Sequence, residues 1–208
     1  MNLKALVVAD HESEYIWDYF DRNAFSGVDV IISCGDLKAS YLSFLVTMLH
    51  APVLYVRGNH DARYDRQPPE GCDCLDNRIL TVKGVRFLGL GGCKSGSHQP
   101  ENFTESAMRR RIAKLRLSLF KRRGFDVLVT HAPAKGLGDG DDTFHEGFQC
   151  FRDLIDKWQP RYYLHGHQHL QYTANGARTI HYNATTIING YNYTIVDMTF
   201  PDRGGKQA

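Results

Sequence analysis

Short runs of aliphatic and β-branched residues recur along this chain, and the first three are separated by stretches with helical spacing. Residues 3–9, 28–33 and 53–56 read as buried strands, rich in Val, Ile and Leu. Between them, 15–20 and 39–49 carry helical spacing, with Leu42, Leu45, Val46 and Leu49 on one stripe. A helix between two strands returns the chain to the edge it left, so the strands it joins pair in parallel. That alternation rules out an all-helical or an all-β chain.

The pattern then changes. Residues 78–82 and 85–90, joined at Lys83-Gly84, predict a hairpin. A basic helix is expected over 105–123, with Met108, Ile112, Leu115 and Leu119 as its buried stripe, followed by a strand at 126–130. Phe148, Phe151, Leu154, Ile155 and Trp158 give 148–158 an apolar side, and Pro160 stops that helix before a strand at 162–165. Residues 177–197 read as antiparallel strands. The expectation is one α/β domain over 1–200 with mixed sheets and a polar tail at 201–208.

Bulk properties narrow the class. A chain of 208 residues can bury a substantial core. Lys and Arg number 25 against 23 acidic residues, which argues for no particular partner. Cys34, Cys72, Cys74, Cys93 and Cys150 lack C-x-x-C spacing and are odd in number, as expected of reduced thiols in a cytoplasmic protein. The apolar stretch before Asp10 is too short for a signal-peptide core, and no run approaches membrane-spanning length. A soluble, cytoplasmic chain with no membrane partner is expected.

The chemistry lies where the apolar runs stop. The first ends in Asp10-His11-Glu12, the second in Cys34-Gly35-Asp36 and the third in Gly58-Asn59-His60-Asp61. The strand ending at Thr130 is followed by His131, and the one after Pro160 by His165-Gly166-His167-Gln168-His169. In open α/β sheets ligands bind beyond the carboxyl ends of parallel strands, so these groups can meet in one place. One such residue is ordinarily a satisfied polar group; five strand ends in series point to a metal site.

This set, and above all the Gly-Asn-His-Asp and Gly-His-x-His motifs, resembles the calcineurin-like metallophosphoesterase superfamily, in order, over positions 10–169. The resemblance implies a four-layer α/β/β/α sandwich of two mixed β-sheets, with a dinuclear metal site at the strand C-terminal ends. It implies that Asp36 bridges two divalent ions, as a two-oxygen carboxylate can. Asn59, His131 and His167 would complete one ion, and Asp10 and His169 belong to the other. His60 would face the substrate as the catalytic residue, with Asp61 orienting its ring. The implied activity is hydrolysis of a small phosphomonoester or phosphodiester.

One position departs from the family's Asp-x-His. Either His11 takes the ligand role one residue early, or Glu12 replaces the histidine in place. Residues two apart in extended chain point the same way, which favours Glu12 beside Asp10. Asp10, Glu12 and Asp36 would then make an oxygen-rich site suited to manganese, with iron, magnesium, nickel or zinc as alternatives.

Other features are weaker. Arg63 either forks onto a substrate phosphate or is an ordinary surface arginine. The acidic stretch 136–145 reads as a solvated connector, or as a lid whose His145 touches substrate. Residues 89–95 lack the spacing of a phosphate-binding loop. The cations of 105–123 read as a solvated face; as a nucleic-acid surface they would support a nuclease instead. A non-catalytic scaffold would be expected to lack His60 or the ligands, which are present here.

Overall fold

The computed structural model describes residues 1–97, 99–140, 142, 145–170 and 177–201. In chain order the strands and helices begin with β1 (Asn2–Ala9), α1 (Glu14–Trp17), β2 (Val30–Ser33), α2 (Ala39–Leu49), β3 (Val53–Tyr55) and β4 (Asp73–Cys74). The middle comprises β5 (Ile79–Val82), β6 (Val85–Leu90), β7 (Cys93–Lys94), β8 (Asn102–Phe103), α3 (Glu105–Lys114), α4 (Arg116–Arg122) and β9 (Val127–Thr130). The last are α5 (Gln149–Trp158), β10 (Tyr162–His165), β11 (Thr179–Tyr182), β12 (Thr185–Asn189) and β13 (Asn192–Thr199).

Two large mixed sheets result. One has the order β13-β1-β2-β3-β4, with β13 antiparallel to β1 and the rest parallel. The other has the order β11-β12-β10-β9-β6-β5, parallel in the middle and antiparallel at both edges. The period-2 alternation of β1 shows how they stack. Leu3, Ala5, Val7 and Ala9 face a core shared with Phe87, Val129 and Leu164 of the second sheet. Leu6 and Val8 face the other way, onto Ile16, Tyr41, Leu42 and Leu45 of α1 and α2. The second sheet turns Leu88, Leu128 and Tyr163 toward α3, α4 and α5. The order of layers is helix, sheet, sheet, helix, as the family resemblance implied.

Three local expectations are corrected. The helix read at 15–20 is the single turn α1, followed by a 3-10 turn at Arg22–Phe25; Ile16 is buried, and Phe20 reaches the same core from the segment between the two turns. The basic helix breaks at Leu115, which closes α3 with a tight bond from its amide to the Ile112 carbonyl and leaves Leu117 and Phe120 of α4 exposed. The stretch 177–197 divides between the sheets. Ile187 and Ile188 feed opposite cores, so β12 is buried on both faces and lies parallel beside β10, while β13 crosses to β1. Arg109 and Arg111 of α3 are paired with Asp153 and Asp76. Among the described residues, no helix is long and apolar enough to cross a membrane.

The hairpin at Lys83-Gly84 forms as expected, both residues having positive φ (45° and 78°), the conformation a two-residue hairpin demands. Packing leaves no room at Gly89 in β6, where a Cβ would lie 2.5 Å from Leu75 Cγ and 2.6 Å from the Leu75 carbonyl oxygen. Gly89→Ala is therefore expected to destabilise the fold by about 1–3 kcal/mol in chemical denaturation, the range for overpacked cores. Gly96→Ala, with nothing within 4 Å of the added carbon, should stay within about 0.5 kcal/mol of the parent. Equal effects at the two sites would contradict this packing.

Candidate metal centre

The carboxyl ends of β1, β2 and β3 in one sheet and of β9 and β10 in the other converge on one side-chain cluster. Each chain segment must turn sharply as its strand ends. Asp10, Asp36 and His167 hold φ of 63°, 58° and 65°, a left-handed conformation that costs a residue with a Cβ about 1–3 kcal/mol. Strain of that kind persists only where the surroundings enforce it. The Asp10 amide donates to the Gly35 carbonyl at 3.1 Å, and the His167 amide donates to the Asp10 carboxylate at 2.9 Å. Two glycines let the loops approach. A Cβ on Gly35 would stand 2.4 Å from the Gly58 nitrogen, and one on Gly58 only 2.0 Å from Asp36 Oδ1.

His131 is at the centre and fully buried. Its Nδ1 lies 2.8 Å from the Cys34 carbonyl, which can only accept, so Nδ1 is protonated and in the neutral ring Nε2 holds the lone pair. That lone pair faces Asn59 Oδ1 at 3.0 Å, His167 Nδ1 at 3.1 Å and Asp36 Oδ2 at 3.5 Å. Asp10, Asp36 and His131 together offer one ligand atom each, all within 4.8 Å of one another. Acceptors directed at the lone pair of a neutral His131 repel it unless a proton or a metal cation lies between them.

Electrostatics give the same result. Withdrawal from water pushes Asp10 up from 3.8 to about 7; His131 opposes the rise and the Asp36 charge adds to it. Desolvation likewise raises Asp61 to about 6. Burial pulls His131 down, but the carboxylates of Asp36 and Asp10 outweigh it and hold its pKa above the usual imidazole range. The donor set of carboxylates, imidazoles and an amide oxygen fits divalent metal ions, and these residues are placed to hold them.

The remaining sequence candidates fall at the rim. His169 is half-buried against Tyr191, with ring centroids 4.9 Å apart, and burial holds its pKa below the usual imidazole range. His11 is exposed and stacks on the same tyrosine at 6.3 Å. The Glu12 carboxylate is taken up by Lys38, accepting from its backbone amide at 2.9 Å and its ammonium at 2.7 Å. Asp61 Oδ2 accepts the amides of both Asp36 and Gly58 at 2.8 Å, so it fastens two ligand loops together rather than steering the ring of His60. His60 donates its own amide to Asp36 Oδ1 and holds a largely exposed ring, Nε2 3.9 Å from Asp36 Oδ2. With Arg63 it lines a cavity of about 540 Å³ beside the cluster. His145 is paired with Asp142 at 2.7 Å, and its ring stands 5.5 Å from that of His167. The base of its loop is closed by Asp139, which accepts from the amides of Gly136 and Gly147. Asp141, Thr143 and Phe144 of the 136–145 stretch lie outside the described residues.

Two supports escaped the sequence reading. Asn189 donates to the Gln168 carbonyl at 2.8 Å, and the Gly190 amide to the His165 carbonyl at 2.7 Å, so the end of β12 props the loop that carries His167 and His169. The signal was available. Ile187-Ile188-Asn189-Gly190-Tyr191 is a further apolar run ending in polar residues, like the other five.

The raised carboxylates set a pH dependence. Between about pH 4 and 7 the folded metal-free protein holds protons on Asp10 that the unfolded chain has lost. Asp10's contribution to stability is therefore complete below pH 4 and falls away as pH rises through 7. Asp10→Asn should flatten that decline, and a divalent ion should raise the parent's melting temperature near pH 7.5 more than the variant's. Parallel stability curves for parent and variant would show that the cluster carries no such charge strain.

Comparison with known proteins places this geometry in a family. The model of the calcineurin-like phosphoesterase family matches residues 4–171. An uncharacterized protein of Haemophilus influenzae is 24% identical over 173 residues, which cover 69% of this chain and 74% of that one. In fold the chain is similar to TT1561 of Thermus thermophilus, with a TM-score of 0.61 at 15% identity over 92% of this chain and 90% of the other. It is also similar to GAP50, described as the anchor in the inner membrane complex of Plasmodium, with a TM-score of 0.53 at 14% identity over 90% and 71%. The family match takes in every strand end that feeds the cluster, and the chain belongs to the calcineurin-like phosphoesterases.

Proposed function

We propose that the protein hydrolyses a phosphomonoester or phosphodiester at a centre of two divalent metal ions. The observation that carries this reading is the convergence of Asp36, Asn59 and His167 on the free nitrogen of His131, with Asp10 beside them. Asp36 would lie between the ions. Asn59, His131 and His167 would hold one, and Asp10 and His169 the other. Glu12 would join that second set only by releasing Lys38, which now takes both its oxygens. With Glu12 released to it, the site would be oxygen-rich and favour manganese, with iron, magnesium, nickel or zinc as alternatives. Bound ions of this kind acidify water and balance charge on a phosphate ester.

The chain's own groups supply the rest. The His60 ring stands at the cavity mouth with its backbone tied to Asp36, the place from which a proton can be handed to a departing alkoxide. On the other side of the cluster, His145, oriented by Asp142, faces His167 and would contact the substrate.

His60→Ala should retain the metal content of the parent and lose about 100-fold or more of its Mn²⁺-dependent turnover of p-nitrophenyl esters. His131→Ala should lose metal as well, measured by elemental analysis of the purified protein. Two equivalents of tightly held zinc after gentle purification would contradict the assignment to manganese. Failure of the parent to turn over any mono- or diester with any divalent ion would favour a non-catalytic scaffold.

A further inference from the structure

We propose that the cavity beside His60 binds a second anionic group on the alcohol part of the substrate, and that Arg63 is the residue that recognises it. The inference rests on the phosphoesterase reading and extends it to a substrate class: esters whose leaving group carries its own phosphate or carboxylate.

The position of Arg63 follows from backbone geometry. His60 caps the 3-10 turn Asp61–Asp65, and such a turn repeats every three residues, so His60 and Arg63 project from the same edge. Both line the cavity of about 540 Å³ that reaches Asp36. If His60 serves the leaving group, that group lies in this cavity, one helical turn from Arg63. The platform is held firmly. Asp61 is buried and clamped by two backbone amides, and the buried Tyr64 donates its hydroxyl to the Leu37 carbonyl at 2.5 Å.

The charges single out Arg63. Lys38 also lines the cavity, but its ammonium is neutralised by Glu12 at 2.7 Å. Arg57, Arg86, Arg109 and Arg111 all have carboxylate partners. Arg63 makes no ion pair among the described residues. A guanidinium offers a planar fork that matches phosphate or carboxylate oxygens. Of the carboxylates on the wall, Glu12 is held by Lys38, Asp61 is clamped by two amides and Asp36 belongs to the metal cluster, while Ser40 and Gln67 add neutral hydrogen-bonding groups.

The test is a binding comparison on the Mn²⁺-loaded protein by titration calorimetry. The probes are phenylphosphonate, 4-carboxyphenylphosphonate and benzene-1,4-bisphosphonate, none of which can be hydrolysed. At least one doubly anionic probe should bind about tenfold or more tighter than phenylphosphonate, and the two arms distinguish carboxylate from phosphate. Arg63→Met should bring that ratio close to one, and Arg63→Lys should recover part of it. Arg63 is exposed, so each variant should melt with the parent, and Arg63→Glu should reverse the preference. No preference in the parent, or one that Arg63→Met leaves intact, overturns the inference. Turnover of phenyl phosphate, measured alongside, separates the two readings. Preference without turnover upholds the anion site and removes the hydrolase, whereas turnover without preference does the reverse.

Discussion

The structure is organised around an unbalanced meeting of lone pairs. Asp36 and Asn59 turn oxygens, and His167 its Nδ1, toward Nε2 of the fully buried His131, and a second carboxylate stands close by. Nothing in a polypeptide gains by that arrangement on its own. Three of the residues concerned hold left-handed backbone, and Asp10 is pushed to about 7 by its withdrawal from water. Such costs are sustained because the surrounding layers fix the strand ends, and a divalent cation would offset them.

The two sheets are what make the meeting possible. Asp10, Asp36 and Asn59 arrive from one sheet, His131 and His167 from the other, so the site exists only when the shared core is packed. Asp61 and Gly58 work at a finer scale. The buried carboxylate of Asp61 collects two loop amides, and the missing side chain at Gly58 leaves room for Asp36. Metal binding and folding stability are therefore coupled through the same few hydrogen bonds.

Much of this was legible in the sequence because burial imposes simple patterns. The apolar runs of β1, β2 and β3, the helix α2 and the hairpin after β5 were all readable, as were the polar residues at five strand ends. What could not be read is what depends on distant partners. Strand direction is one case: Ile187 and Ile188 say that β12 is buried on both faces, but not that it lies parallel to β10. The break at Leu115 is another, since its apolar stripe runs unbroken through the kink. At the site, extended chain would set Glu12 beside Asp10, whereas Asp10 itself adopts a left-handed turn and Glu12 meets Lys38, twenty-six residues away. The place of Asp61 after His60 suggests a partner for that ring, but the partners it has are the backbone amides of Asp36 and Gly58.

The central claim is that these strand ends hold two metal ions with Asp36 between them. Anomalous diffraction from crystals grown with Mn²⁺ tests it most directly. The expected result is two peaks about 3.5–4 Å apart, with an Asp36 carboxylate oxygen near each and His131 bound to only one. A single peak, or none within reach of Asp36 and His131, would contradict it.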